Sequence, residues 1–216
     1  MNSKIIIIGA GGHAESVFNV AISAGYEVLV FIDDKKAGET LFDKRVIQES
    51  QNFSLDQDTF LAIGVGDNFS REQIVAKYIQ KFSLEKFPYL IHSSSNIGAE
   101  ARIGYGTVIM PNVSVGPKSN VETFCILNTH SSIDHECKIS DYASIAPGVH
   151  TGGNVSVGVR SAISIGASVK QGVSIGNDSV VGASSLVLHD VPDRVVSFGI
   201  PSTTIRSRNQ DDTYLS

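Results

Sequence analysis

The stretch NIGAEARIGYGTVIMPNVSVGPKSNV, Asn96 to Val121, places Ile97, Ile103, Ile109, Val115 and Val121 six residues apart. The step continues through Leu127, Ile133, Ile139, Ile145, Thr151, Val157, Ile163, Val169, Ile175, Val181 and Val187, so fifteen of sixteen positions are Ile, Val or Leu. Those residues make up about a quarter of the chain, which alone would give roughly four matches. Four residues after each aliphatic comes a compact side chain, from Ala101 and Thr107 through Cys125 and Cys137 to Ser179 and Ser185. A period of six keeps no single face of an α-helix. It matches a short strand followed by a corner, and three such units close a triangular coil of eighteen residues. Each coil pairs its backbone with the next at about 4.8 Å. The glycines directly after the aliphatic position, such as Gly98, Gly104 and Gly116, are expected to supply a positive φ at the corner. Cys125 and Cys137 both fall on the compact position and read as packing thiols.

Upstream the period changes. KIIII reads as a buried strand, GAGGHA as a turn into a helix carrying Val17, Phe18, Ala21 and Ile22, and EVLVFIDD as a second strand. TFLAIGVGDN supplies a third strand, followed by a helix from about Arg71 to Lys81. This βαβ pattern predicts a parallel sheet of about half a dinucleotide-binding fold. Phe87-Pro88-Tyr89 reads as the hinge, which divides the chain into 1–90 and 91–216.

Bulk composition narrows the classes. Charged residues are 18% and aromatics 7% with no Trp, which suits a β-rich chain of small and branched residues. The net charge of -5 offers no broad field for nucleic acid or an anionic membrane. The apolar run at the start is too short for a signal peptide or a membrane span, so a cytoplasmic protein is expected.

Two clusters carry chemistry. SIDHEC, Ser132 to Cys137, places His135 between two acids on the outer surface of the coil. GAGGHA, Gly9 to Ala14, opens a helix after a strand, with Asp33 and Asp34 some twenty residues on. Alone this is a weak dinucleotide fingerprint: the second half-fold is absent and His13 occupies a position usually small. A zinc site built on His130 and His135 lacks a third ligand, because the neighbouring-coil positions Asn112, Gly148, Pro117 and Gly153 hold no histidine. No metal is expected.

The six-residue period resembles the hexapeptide-repeat acyltransferases, whose domain is a left-handed parallel β-helix. A G-x-G-G-H half-Rossmann unit joined to a β-helix carrying N-T-x5-H-[DE]-C is similar, more narrowly, to bacterial acetyltransferases of nucleotide-activated amino sugars. That group includes the enzymes of bacillosamine and perosamine synthesis and the sialic acid O-acetyltransferases. The resemblance implies that His135 is the general base, Glu136 favours its protonated form, and Asn128 places the amine. It implies that Gly11, Gly12, His13, Asp33, Asp34, Gly64, Val65, Gly66 and Asn68 hold a UDP-linked amino sugar. It implies further that Ser144, Gly153, Ile165 and Ala183 contact acetyl-coenzyme A, with Ser144 standing where many relatives carry a second histidine. The expected activity is N-acetylation of the 4-amino group of a UDP-4-amino-4,6-dideoxy sugar of the bacillosamine type, in a homotrimer with active sites at subunit boundaries. The alternatives are GDP-perosamine N-acetylation, sialic acid O-acetylation, or a non-catalytic nucleotide-sugar or NAD-sensing scaffold.

Overall fold

The computed structural model describes residues 3–50 and 55–213. The first half is a five-stranded sheet of β1 (Lys4–Ile8), β2 (Glu27–Ile32), β3 (Thr40–Leu41), β4 (Lys44–Ile47) and β5 (Thr59–Ile63), in the order β3-β4-β2-β1-β5. Strand β1 runs parallel to β2 and β5, β4 runs parallel to β2, and β3 turns back antiparallel. The β3-β4 hairpin escaped the sequence reading because its strands are short and polar. Helix α1 spans Gly12–Ser23 and α2 spans Asn68–Tyr78. The second helix begins three residues earlier than its sequence suggests, because the Asp67 carboxylate caps it by accepting from the Ser70 N–H. The four isoleucines of β1 are buried on both sides of the sheet. Ile5 and Ile7 join α1 and the solenoid core, while Ile6 and Ile8 pack with Val75, Tyr78, Phe87 and Phe124. A strand covered on both faces needs an unbroken apolar run, and KIIII supplies it.

The remainder is the left-handed parallel β-helix. Register advances by eighteen residues on all three faces: Ser114 pairs with Ser132, Asn120 with Lys138, and Ile126 with Ser144. The first face begins at Leu90–Ile91, which already pairs with Val108–Ile109, so the expected boundary at 90/91 cuts through a solenoid strand. Phe87, expected as a hinge, is fully buried and meets Phe124 edge-on. The last coil ends in an antiparallel hairpin, Val195–Gly199 with Ser202–Ser207.

The aliphatic column points inward and is buried from Ile109 to Val187. The expectation about corner glycines is corrected. Positive φ falls three residues after the aliphatic, at Glu100, Asn112, Lys118, Phe124, His130, Glu136 and their successors, mostly without glycine. The glycines one residue after the aliphatic answer a different demand, the approach of the next coil. A Cβ on Gly98 would stand 2.6 Å from the Pro117 nitrogen, and one on Gly116 2.5 Å from the Asp134 carbonyl carbon. The compact corner residues also hydrogen-bond. Thr107 Oγ1 donates to Glu122 O at 2.7 Å and accepts from Cys125 N at 3.0 Å, and Ser119 repeats the pattern with Asp134 O and Cys137 N. The thiols of Cys125 and Cys137 take the same places, over Ser140 O at 3.1 Å and Gly152 O at 3.3 Å. Burial pushes the Cys125 thiol up to about 12, which leaves it inert as a nucleophile.

One face of the prism is covered by the N-terminal half. Its outward residues Val108, Ile126, Ser144 and Ala162 are all buried. On the other faces the equivalent positions are mostly polar and solvated, as at Ser114, His150, Lys138 and Ser174.

Candidate active site

His135 sits at the edge between the second and third faces, just after Ser132–Ile133. The corner geometry shapes its surroundings. Glu136 takes the left-handed conformation at φ 57°, and its N–H bonds to Pro117 O at 2.9 Å. The glutamate side chain lies beside the imidazole, with Oε2 3.0 Å from Nδ1. Asp134 faces the backbone, accepting from the N–H of His135 at 2.7 Å. With Nδ1–H donated to Glu136, the tautomer leaves the Nε2 lone pair free. The ring itself lies over the next coil. A Cβ on Gly153, eighteen residues on, would be 2.5 Å from both Cε1 and Nε2 of His135. Both side chains remain more than half exposed, at 55% for His135 and 59% for Glu136.

A second locus lies between the halves of the chain. A cavity of about 270 Å³ is lined by His13 and Gly66 from the N-terminal half and by Asn128, Ser144, Ala146 and Pro147 from the solenoid. Asn128 donates Nδ2–H to Ile145 O at 3.0 Å, so its oxygen remains to accept a hydrogen bond from a ligand. His13 Nε2 is sealed from solvent and makes no hydrogen bond. Burial, reinforced by the Arg71 charge, pulls its pKa down to about 4, so the ring is neutral at pH 7. Above His13 the N-terminus of α1 is open. Gly11 caps it without a side-chain bond, and an added Cβ on Gly11 or Gly12 would meet nothing within 4 Å. Free N–H groups with clear space above them suit a phosphate.

A third locus, about 200 Å³, sits at the carboxyl end of the sheet between Ile8, Ile32 and Val65, with Asp33 and Asp34 at its edge. Both carboxylates already serve the backbone. Asp33 accepts from the N–H groups of Ala10 and Lys35, and Asp34 Oδ1 accepts from the N–H of Glu49 at 2.8 Å.

Three expected contacts meet competing commitments. Asn68 is 2% exposed; its amide nitrogen donates to Arg160 O and Ser161 O, while its oxygen accepts from Arg71 and Ser144. Ser144 donates to that oxygen at 2.6 Å, so its hydroxyl also ties the two halves together. Gly64 packs beneath α1, where a Cβ would come within 2.6 Å of Ala14 Cβ. Gly66 and Val65 do line the cavities. Sequence reasoning missed Arg71, which is 1% exposed. Its guanidinium donates to Val65 O and Gly66 O on the loop, and to Phe124 O, Tyr142 O and Ser144 Oγ on the solenoid.

The structure divides the remaining set between two edges. Asn128, Ile165 and Ala183 lie along the edge between the first and second faces; His135 and Gly153 lie along the next. Seven residues of roughly 3.3 Å each set an upper limit of about 23 Å between Asn128 and His135 on one chain, and the corner between them shortens it. Among the described residues no three His, Cys, Asp or Glu side chains converge to share a metal ion, and no helix is long and apolar enough to cross a membrane.

Residues 4–78 match the family model described as the PglD N-terminal domain. Over nearly the whole chain the fold matches the acetyltransferase domain of PglB from Neisseria gonorrhoeae. Identity is 31%, the TM-score is 0.87, and the match covers 94% of this chain and all of that one. PerB from Caulobacter crescentus, solved with CoA and GDP-perosamine, is 30% identical with a TM-score of 0.84, covering 94% of this chain and 97% of that one. The GDP-perosamine N-acetyltransferase of Escherichia coli O157:H7 is 27% identical over 174 residues, 79% of this chain and 69% of the relative.

Proposed function

The chain belongs to the nucleotide amino-sugar acetyltransferase family, and from that premise we propose that it moves acetyl from acetyl-coenzyme A to the amino group of a nucleotide-linked 4-amino-4,6-dideoxy sugar. The observation that carries the reading is the His135 pair: Nδ1 held by Glu136 and Nε2 left free on an exposed edge. An ammonium has no lone pair with which to attack a thioester; the free amine does. As the nitrogen bonds to the thioester carbonyl carbon, Nε2 takes a proton from it. The tetrahedral adduct then expels the coenzyme thiolate, which is protonated by the imidazolium. Such a base is worth about 10²–10⁴ in rate. The Asn128 oxygen, free because its nitrogen is occupied, accepts an amine hydrogen without competing for the proton.

The carrier occupies the N-terminal half, with its diphosphate at the open N-terminus of α1 and its nucleoside at the carboxyl end of the sheet. His135 and the cavity holding Asn128 lie on different edges, so the reaction needs an edge of one copy against the cavity of another. A trimer meets that need. The coenzyme then lies between the Ile165 and Ala183 edge of one copy and the Gly153 edge of its neighbour. Resemblance alone favours a UDP sugar of the bacillosamine type. The E. coli and Caulobacter relatives, named for GDP-perosamine, favour a guanosine carrier as a second reading. The test is acetylation of a panel of UDP-, GDP- and CMP-linked amino sugars by the wild type and His135→Ala, followed by mass spectrometry. The reading requires a loss of about 10² or more in turnover with nucleotide-sugar binding retained. Undiminished acetylation would remove His135 as the base.

A further inference from the structure

The inward column breaks its rule once. Thr151 stands where every other step from Ile97 to Val187 carries Ile, Val or Leu, and it is 6% exposed. A hydroxyl buried among aliphatic side chains is unfavourable unless it is paired. Its partner lies one coil back, beside the His135 corner: Oγ1 accepts from the N–H of Asp134 at 3.3 Å. The same hydroxyl lies 3.7 Å from Cys137 Sγ, and that thiol donates to Gly152 O at 3.3 Å.

The backbone departs from its pattern at the same place. From Gly98 to Lys170, the residue after each column position donates its N–H to the column carbonyl of the next coil at 2.7–2.9 Å. Among the described residues, Asp134 alone in that run does not; its N–H goes to the Thr151 hydroxyl in place of the Thr151 carbonyl. The strand register has the same gap. Ser132 pairs with His150, but Ile133 does not pair with Thr151, whereas Val115 pairs with Ile133 and Thr151 with Val169. The ladder is therefore open at the peptide that leads into His135. The rest of the corner is pinned. His135 N–H is held by Asp134 Oδ1, Glu136 N–H by Pro117 O, and His135 O by the N–H of Asn154 at 2.9 Å.

We infer that Thr151 is a positioning residue for the acetyl transfer, holding the ladder open at Asp134 so that the His135 imidazole stands over Gly153 at the height the reaction needs. The inference rests on the reading of His135 as the base. Interrupted pairing beside an active site re-aims the side chain that follows it. The space here is small, since a Cβ on Gly153 would come within 2.5 Å of the ring. An ordinary ladder bond would draw Asp134 toward the coil that carries Gly153 and press the imidazole against it. Val has the branching of Thr without the hydroxyl, and it would make the column uniform.

The experiment compares steady-state kinetics and thermal melting of the wild type, Thr151→Val, Thr151→Ser and His135→Ala. The acceptor is whichever amino sugar of the panel above is turned over, with thiol release from acetyl-coenzyme A as the signal. Thr151→Val should melt at or above the wild-type temperature, yet lose about tenfold or more in kcat with both KM values within about threefold. Thr151→Ser returns the hydroxyl and omits the methyl. It should melt a few degrees lower and recover kcat to within about threefold of wild type. If His135→Ala is inactive, the base reading stands and the inference is tested alone. It is then overturned by a Thr151→Val kcat within about threefold of wild type, by equal kcat losses in Thr151→Val and Thr151→Ser, or by a loss confined to KM. Full turnover by His135→Ala would remove the base, and no turnover of any sugar in the panel would count against the acetyltransferase reading; the inference falls with either.

Discussion

Replacing Gly153 with Ala sets two uses of that residue against each other. The new Cβ would sit 2.5 Å from Cε1 and Nε2 of His135, where ordinary carbon contacts need about 3.5–4.0 Å. The imidazole must therefore retreat by at least about 1 Å. Its outer side is open, the side chain being 55% exposed, so the ring can swing away without disturbing the core. The expected change in folding stability is below about 1 kcal/mol. Catalysis is less forgiving, since a displacement of about 1 Å at a reacting group costs on the order of 10² in rate. Initial rates of thiol release from acetyl-coenzyme A, measured across coenzyme concentrations, separate the possibilities. A floor for the imidazole predicts a large fall in kcat with little change in KM for acetyl-coenzyme A. A gap for the pantetheine arm predicts the reverse, a raised KM at nearly normal kcat. Turnover within about threefold of wild type would refute the positioning argument.

Two further perturbations probe the seam between the halves. Arg71→Met strips donors from the six backbone and side-chain acceptors named above and should cost about 3–5 kcal/mol in urea denaturation; a loss under about 1 kcal/mol would mean the seam is held elsewhere. For His13 the folded pKa, about 4, lies below the ordinary 6.5, so the unfolded chain binds the extra proton between those values. Stability from the neutral ring is complete above pH 6.5 and is lost as pH falls toward 4. Roughly 2–3 kcal/mol should disappear between pH 7 and pH 4.5, and denaturation of His13→Asn at the two pH values should show that portion missing. An unchanged pH slope in the variant would assign the acid sensitivity to other groups.

The solenoid was legible because its inward column repeats without a slip, and an inward position tolerates little besides Ile, Val or Leu. Even its covered face left a trace. The residue before each aliphatic is apolar or small on one face, at Val108, Ile126 and Ala162, and polar on most turns of the others, a signal that the step of six averages away. The left-handed corner position was not legible. It is occupied by Glu100, Asn112, Lys118, Phe124 and His130, which share no chemistry, since only the backbone decides the angle there. The His135–Glu136 pair could be read because adjacency in sequence became adjacency in space. The hydrogen bonds that Asn68 and Ser144 make to each other and to Arg71 could not be read in advance, because they lie across a contact that no local pattern encodes.

The stacking of His135 over Gly153 exists only because one circuit of the prism takes eighteen residues. Lengthening the chain anywhere between them by six would carry Gly153 and all that follows to the next edge, leaving a perfectly sound spiral with its imidazole unsupported. Adding eighteen would restore the alignment with a different residue beneath the ring. Variation in length within this region is therefore quantised, and natural or engineered insertions that preserve activity should bulge outward as loops from a single corner while the phase of the spiral is kept.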